Sequence, residues 1–358
     1  MDFGFMATGI GSLPYTEPEL AVGLIFKYMP NIPHWPQLPR RGTPEHFVHQ
    51  YLNPLLRLGI LEEDTQERVS FTYQSQGWEN RLVEFYNLWL SVEGGSLEAL
   101  ELFALPEAAA PGFYRLREEV EGGAENATIS YLKGQIAGPL SMALNLKDNQ
   151  GKPAYYSREL RDLVVKATAL QALWQATSMA KWGFPVMIFV DDPAIGAYGS
   201  ANYISISRAD VLDDLKTISN LLRQTGTLVG LHSCASIDWT LPIEANFSIL
   251  AVDAYHFFIP FSAYAAALKA FVEQGGIIAW GIVPTSEEAY AETSDTLVRK
   301  LKDEIQILVQ LGISQSPLER QSLITPSCGT GALPVPLAQH VYSLTADVSR
   351  RLQMALAC

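Results

Sequence analysis

Eight short apolar runs constrain this chain more than any other feature. They are FMATGIG (5–11), NIPHWPQ (31–37), TISYLKGQ (128–135), PVMIFVDD (185–192), TLVGLHSC (227–234), SILAVDAY (248–255), GIIAWGIV (276–283) and SLITPSC (322–328). Most are rich in β-branched or aromatic residues, end in a polar or small residue, and give way to a longer segment of helical period. RELRDLVVKATALQALWQATSMAKWG spaces its apolar residues for one helix face and stops at Gly, and TSDTLVRKLKDEIQILVQLGI opens on Thr and Ser caps. Strands that alternate with helices pair in parallel, and eight of them without an obvious linker predict a closed (β/α)8 TIM barrel rather than an open doubly wound sheet. The expectation is a single α/β domain over residues 1–358. The excess length, residues 66–127, forms an insertion between strands 2 and 3 that caps one rim.

Composition narrows the function. Of the 358 residues, 48% are hydrophobic and 18% charged, which is a folded chain rather than a disordered one. A formal net charge of -13 argues against a surface that holds phosphate backbones, so no nucleic acid is expected as a partner. The start, MDFGFMATGIGSLP, lacks a basic and long apolar leader, and no run of about 18 apolar residues occurs. No membrane association and a cytoplasmic location are therefore expected. Three cysteines, Cys234, Cys328 and Cys358, cannot all pair, and in a reducing compartment such thiols serve as ligands or nucleophiles. The terminal Cys358 is taken as inert.

A barrel gathers its chemistry at the C-terminal ends of the strands. His232 and Cys234 end the fifth strand, Asp253 the sixth and Cys328 the eighth, so imidazole, thiolate and carboxylate groups open onto one mouth. That is the ligand chemistry of zinc, which would turn an incoming thiol into a thiolate at neutral pH. Taken one at a time, each of these residues is as well explained by core packing.

The ordered series ATGIGSLP, LKGQIAGPLS, FVDDPA, LHSCAS, LAVDA, WGIVP and TPSCG resembles the C-terminal catalytic barrel of cobalamin-independent methionine synthase. The wider superfamily includes uroporphyrinogen decarboxylase and zinc methyltransferases acting on methyl-corrinoids. The resemblance spans nearly the whole chain, in a short, barrel-only form. It implies that His232, Cys234 and Cys328 are zinc ligands, with Asp253 in the place of the family's glutamate ligand. It also implies that Gly11 and Ser12 hold a substrate carboxylate and that Asp191 receives an ammonium group, with Asp191 and His232 as the catalytic pair. Asp192 reads as a helix-start acid, and Lys133, Gly138 and Pro139 as loop shape.

One departure concerns the substrate. Where the family carries an acidic cluster, this chain has QLPRRGTPEHF, and Arg40 and Arg41 suit an anion, so Arg41 is read as substrate-binding, with Glu45 as a replacement acid one turn on. The aromatics His34, Trp35, Trp239, Tyr255, His256, Phe257, Phe258 and Trp280 are expected around the mouth, as walls for a flat donor. The resulting expectation is a zinc-dependent methyltransferase acting on a small thiol, with homocysteine as the leading acceptor. Its donor is methylcobalamin, a corrinoid protein included, or methyltetrahydrofolate. The residues leave three other readings open: a methyl-corrinoid:thiol enzyme of the coenzyme M kind, a metal-free tetrapyrrole decarboxylase with arginines on carboxylates, and a corrinoid- or thiol-binding barrel without turnover.

Overall fold

The computed structural model describes residues 2–123, 128–198 and 205–357. Its strands are β1 (Met6–Ala7), β2 (Leu61–Glu63), β3 (Val69–Phe71), β4 (Leu132–Ala137), β5 (Val186–Asp191), β6 (Leu228–Ser233), β7 (Ile249–Val252), β8 (Ile277–Val283) and β9 (Ser322–Pro326). Seven of them form one parallel sheet in the order β1-β9-β8-β7-β6-β5-β4, curled inside a ring of helices as in a TIM barrel. β2 and β3 pair apart, as an antiparallel hairpin.

The second expected strand, 31–37, supplies the missing stave without being a regular strand. Parallel bridges join Gln37 to Ser12 on one side and His34 to Lys133 on the other. The peptide of Lys133 donates to Pro33 O at 3.0 Å, and Gln37 N donates to Gly11 O at 3.1 Å. Pro33 and Pro36 have no N–H, so the ladder on this stave breaks into isolated bridges.

Side-chain direction follows from the two-residue period of a strand. Met187, Phe189, Ile249, Ala251, Ile277, Ala279 and Leu323 pack with one another inside the barrel, whereas Ile188, Val190, Leu231 and Leu250 pack against the surrounding helices. The same parity aims Lys133 and Gln135 on β4, Asp191 on β5 and His232 on β6 into the interior. Gly230 is required on β6 because an added Cβ would stand 2.7 Å from the Phe189 ring.

The helix Arg158–Ala180 is capped by Ser157, which accepts from Leu160 N, and the helix Ser294–Gln310 opens on a capping box made by Thr293 and Thr296. The described part of the expected insertion includes β3, whose hairpin partner β2 lies just ahead of it, and the helices Trp78–Glu93, Leu97–Glu101 and Pro111–Gly122. It packs on the barrel's flank: Trp78 Nε1 donates to Glu159, Tyr86 to Asp162, and Trp174 Nε1 to Glu101. Residues 124–127 of the insertion, and Cys358, lie outside the described residues. Among the described residues no helix is long and apolar enough to cross a membrane.

The loops after β4 and β5 are tied together by Asp192. It accepts from Leu140 N at 2.9 Å, Ser141 N at 3.0 Å and Ser141 Oγ at 2.6 Å, so it holds the start of the helix Pro139–Asn145 rather than that of Pro193–Ala197, the turn that follows it and was its expected place. Its side chain fills the space where a Cβ on Gly138 would stand, 2.1–2.3 Å away. Gly138→Ala is therefore expected to cost roughly 1–3 kcal/mol in denaturant unfolding. Gly23→Ala, in open space on the helix Pro18–Tyr28, should instead stabilise by roughly 0.5–1 kcal/mol. Equal midpoints for the two variants would contradict this packing.

Candidate metal centre

His232, Cys234 and Cys328 meet at the C-terminal mouth, their ligand atoms within 4.8 Å of one another. His232 is buried, and both cysteines are half-buried and free. The imidazole Nδ1 donates to Ala251 O at 3.2 Å on the neighbouring strand, which leaves Nε2 as the nitrogen with a lone pair. That nitrogen is buried without a hydrogen-bond partner. The neighbouring Cys328 thiol, with His232 adding to the effect, holds the Cys234 thiol below its ordinary range. Cys234, with burial, holds that of Cys328 above it. An imidazole nitrogen without a hydrogen-bond partner beside two free cysteine sulfurs is a soft, nitrogen-and-sulfur donor set that fits zinc.

A cavity of about 300 Å³ opens over this trio, with Ile10, Ser12, Gln37, Glu45, Phe47 and Asp191 also on its walls. Asp191 ends β5, in register with His232 on β6. Burial pushes its carboxyl up to about 6 against the pull of His232 and Lys133, and its Oδ1 has no hydrogen-bond partner. Ser12 sits against the loop that follows Cys328, its Oγ accepting from Gly331 N at 3.2 Å and its carbonyl from Thr330 N at 3.0 Å. Ser12, rather than Gly11, lines the cavity. Gly11 backs the wall, where a Cβ would stand 2.9 Å from both Gln37 and Gln135.

Several sequence-derived placements differ in the structure. Arg41 does not face the cavity: its Nη1 donates to Thr16 O at 2.8 Å and its Nε pairs with Glu45 Oε1 at 2.8 Å. Arg40 is likewise turned to Leu333 O, at 2.7 Å. The group that reaches the cavity is Glu45, which also accepts from Leu38 N at 2.8 Å. Burial pushes its carboxyl up to about 7, opposed by the Leu38 N–H and Arg41. Asp253 does not join the trio; three hydrogen bonds from His256 occupy its carboxylate. The proposed aromatic walls are also largely core. Trp35, Trp239 and Trp280 are fully buried, with Trp35 Nε1 donating to Gln175 and Trp280 Nε1 to Ser322. The aromatic on the cavity wall is Phe47.

Lys133 was read as loop shape, yet its amine is buried inside the barrel. Its Nζ donates to Ile10 O at 2.6 Å and Gln135 Oε1 at 3.2 Å, and it lies 4.5 Å from the centre of the Phe189 ring. Burial pulls its pKa down to about 7 while Asp191 opposes that fall. The available signal was the spacing of Lys133 and Gln135, two polar residues with inward parity on one strand.

No protein-family model matches the chain, and no curated protein does. Among solved structures it is similar to a B12-independent methionine synthase from Shewanella sp. W3-18-1 in complex with selenomethionine. The identity is 12% and the TM-score 0.48, over 84% of this chain and 95% of that one. No residue assignment rests on this likeness.

Proposed function

We propose that the protein is a zinc-dependent S-methyltransferase whose acceptor is a small thiol bearing an ammonium group, with homocysteine as the leading case. The observation that carries the reading is the convergence of His232, Cys234 and Cys328 beneath a cavity that also holds Asp191 and Glu45. Among the described residues no Lys or Arg lines that cavity. This weighs against the decarboxylase reading, which needs cations to hold carboxylates.

His232, Cys234 and Cys328 would hold the metal. Bound zinc would supply a lowered thiol pKa, so that the acceptor reacts as a thiolate at neutral pH. Asp191 and Glu45 would hold the substrate's ammonium, and Ser12 would donate its hydroxyl hydrogen to a carboxylate. Ile10 and Phe47 would exclude water from the reacting atoms. In the transfer, a sulfur–carbon bond forms as the donor's bond to methyl breaks, and the electron pair of that bond stays with the donor. The donor is methyltetrahydrofolate or methylcobalamin; a 300 Å³ cavity suits the amino thiol and leaves a larger donor at the open mouth.

Two measurements test the acceptor side. Zinc-loaded protein should release about one proton on binding the thiol at pH 7, read by calorimetry in buffers of different ionisation enthalpy. Binding without proton release would sink the thiolate role. Glu45, outside the metal trio, gives a pH signature. Its carboxyl, at about 7, is neutral below the window around that value and anionic above it. Affinity for an aminothiol should thus rise by roughly 10-fold or more as pH rises through the window, since a hydrogen bond to a charged group is worth about 1.5–3 kcal/mol. An amine-free thiol of the same length serves as the control for titration at the metal. Parallel pH profiles for the two thiols would remove the ammonium subsite.

A further inference from the structure

Two inward-facing strand ends flank β6, and each carries a carboxylate. Asp191 ends β5 and Asp253 follows β7, so on position alone either could supply a fourth ligand beside His232, Cys234 and Cys328. Their surroundings are opposite. Asp191 Oδ1 is buried and unpartnered. The side chain of Asp253 is turned onto the start of the helix Ala254–Ser262, where Oδ1 accepts from His256 N at 3.0 Å. The His256 ring then closes over the same group, with Nδ1 at 2.9 Å from Oδ2 and 3.1 Å from Oδ1. On its far side, His256 Nε2 is 3.2 Å from Glu288 Oε2, an oxygen that also accepts from Ser286 Oγ at 2.8 Å. A ring between two carboxylates donates from both nitrogens, and this arrangement holds Asp253 from outside the mouth.

We infer that His256, braced by Glu288, is a positioning residue that keeps Asp253 off the metal, so that the protein offers three ligands and reserves the next coordination position for the substrate sulfur. The inference rests on the metal-site reading above and goes beyond it by assigning Asp253, His256 and Glu288 a role in setting the ligand number. Three protein ligands with an open position is the catalytic form of a zinc site, whereas four closed ligands is the structural form. Asp253 and Asp191 then have separate duties. One is withdrawn from the mouth, and the other stays free to meet a ligand within it.

The test uses metal affinity and spectrum, not turnover. Full-length protein is titrated with zinc against a chromophoric chelator, and cobalt(II) is used as the spectroscopic probe, for wild type, Asp253→Asn, His256→Ala and the double variant. Asparagine keeps both the helix cap and the contact with His256, so Asp253→Asn should fold. It should leave zinc affinity within roughly 3-fold of wild type and the cobalt spectrum unchanged, where loss of a true ligand or its support costs roughly 10–100-fold or more. His256→Ala should free Asp253, tighten zinc binding by roughly 10-fold and shift the cobalt bands. Adding Asp253→Asn should reverse both changes, which a general loss of structure would not do. A 10-fold or larger loss of zinc in Asp253→Asn alone would overturn the inference while leaving the metal site standing. A wild-type protein that binds neither metal would overturn both.

Discussion

Purified protein is expected to carry about one zinc per chain, and Cys234→Ser and Cys328→Ser are each expected to lose it. Both sulfurs and a ring nitrogen of His232 lie within 4.8 Å of one another, at the end of strands that are buried and in fixed register. A site with so few ligands has no spare. Structural zinc sites bind with about 10–16 kcal/mol, so removing one of three ligands should weaken affinity by roughly 1,000-fold or more, about 4 kcal/mol. Elemental analysis after exhaustive dialysis gives the stoichiometry, and competition with a chelator gives the affinity. Serine is close in size to cysteine, so unfolding is not the expected reason for metal loss; an unchanged denaturation midpoint in the metal-free proteins checks this. Equal zinc in wild type and both variants would place the metal elsewhere or make it adventitious.

The second large effect belongs to Asp191. Asp191→Asn keeps the shape of the wall but removes the charge that would meet the substrate's ammonium in a largely desolvated place. Breaking one side of a buried, hydrogen-bonded charge pair costs about 2–5 kcal/mol, so kcat/KM for an aminothiol should fall by roughly 30- to 1,000-fold or more. The loss should be far smaller with an amine-free thiol, and zinc content should not change. A variant that loses zinc along with activity would make Asp191 a ligand rather than a recognition group. Equal losses with both thiols would also remove it from the ammonium subsite.

Much of this arrangement was legible in the sequence, for identifiable reasons. A parallel strand is buried on both faces and reads as an apolar run, so all eight staves were visible, including the proline-broken 31–37. That stave carries strand-like residues even though Pro33 and Pro36 prevent a continuous ladder. The convergence of His232, Cys234 and Cys328 was legible because strand ends fall on one face of a barrel, whatever their separation in sequence. Side-chain direction within the loops was not. Arg41 and Glu45 are four residues apart, and which of them enters the cavity depends on the short turns of 39–45, where Arg41 finds Thr16 O and Glu45 finds Leu38 N. Asp253 was placed at the mouth by its strand, but His256, three residues on, captures it by a contact that depends on the helix start. The tryptophans were misplaced for a similar reason: an aromatic near a strand end is as well suited to the helix–barrel layer, and Trp35 and Trp280 each find a buried partner there.

The central claim is methyl transfer to a thiol at this site, and product analysis tests it most directly. Zinc-loaded protein is incubated with homocysteine, coenzyme M and other small thiols, each with methyltetrahydrofolate or methylcobalamin, and the thioether is followed by mass. The account predicts S-methylated product over repeated turnovers from at least one donor, with aminothiols ahead of thiols lacking the amine, and none from Cys234→Ser. No thioether from either donor with any thiol, in protein shown to hold its zinc, would contradict it.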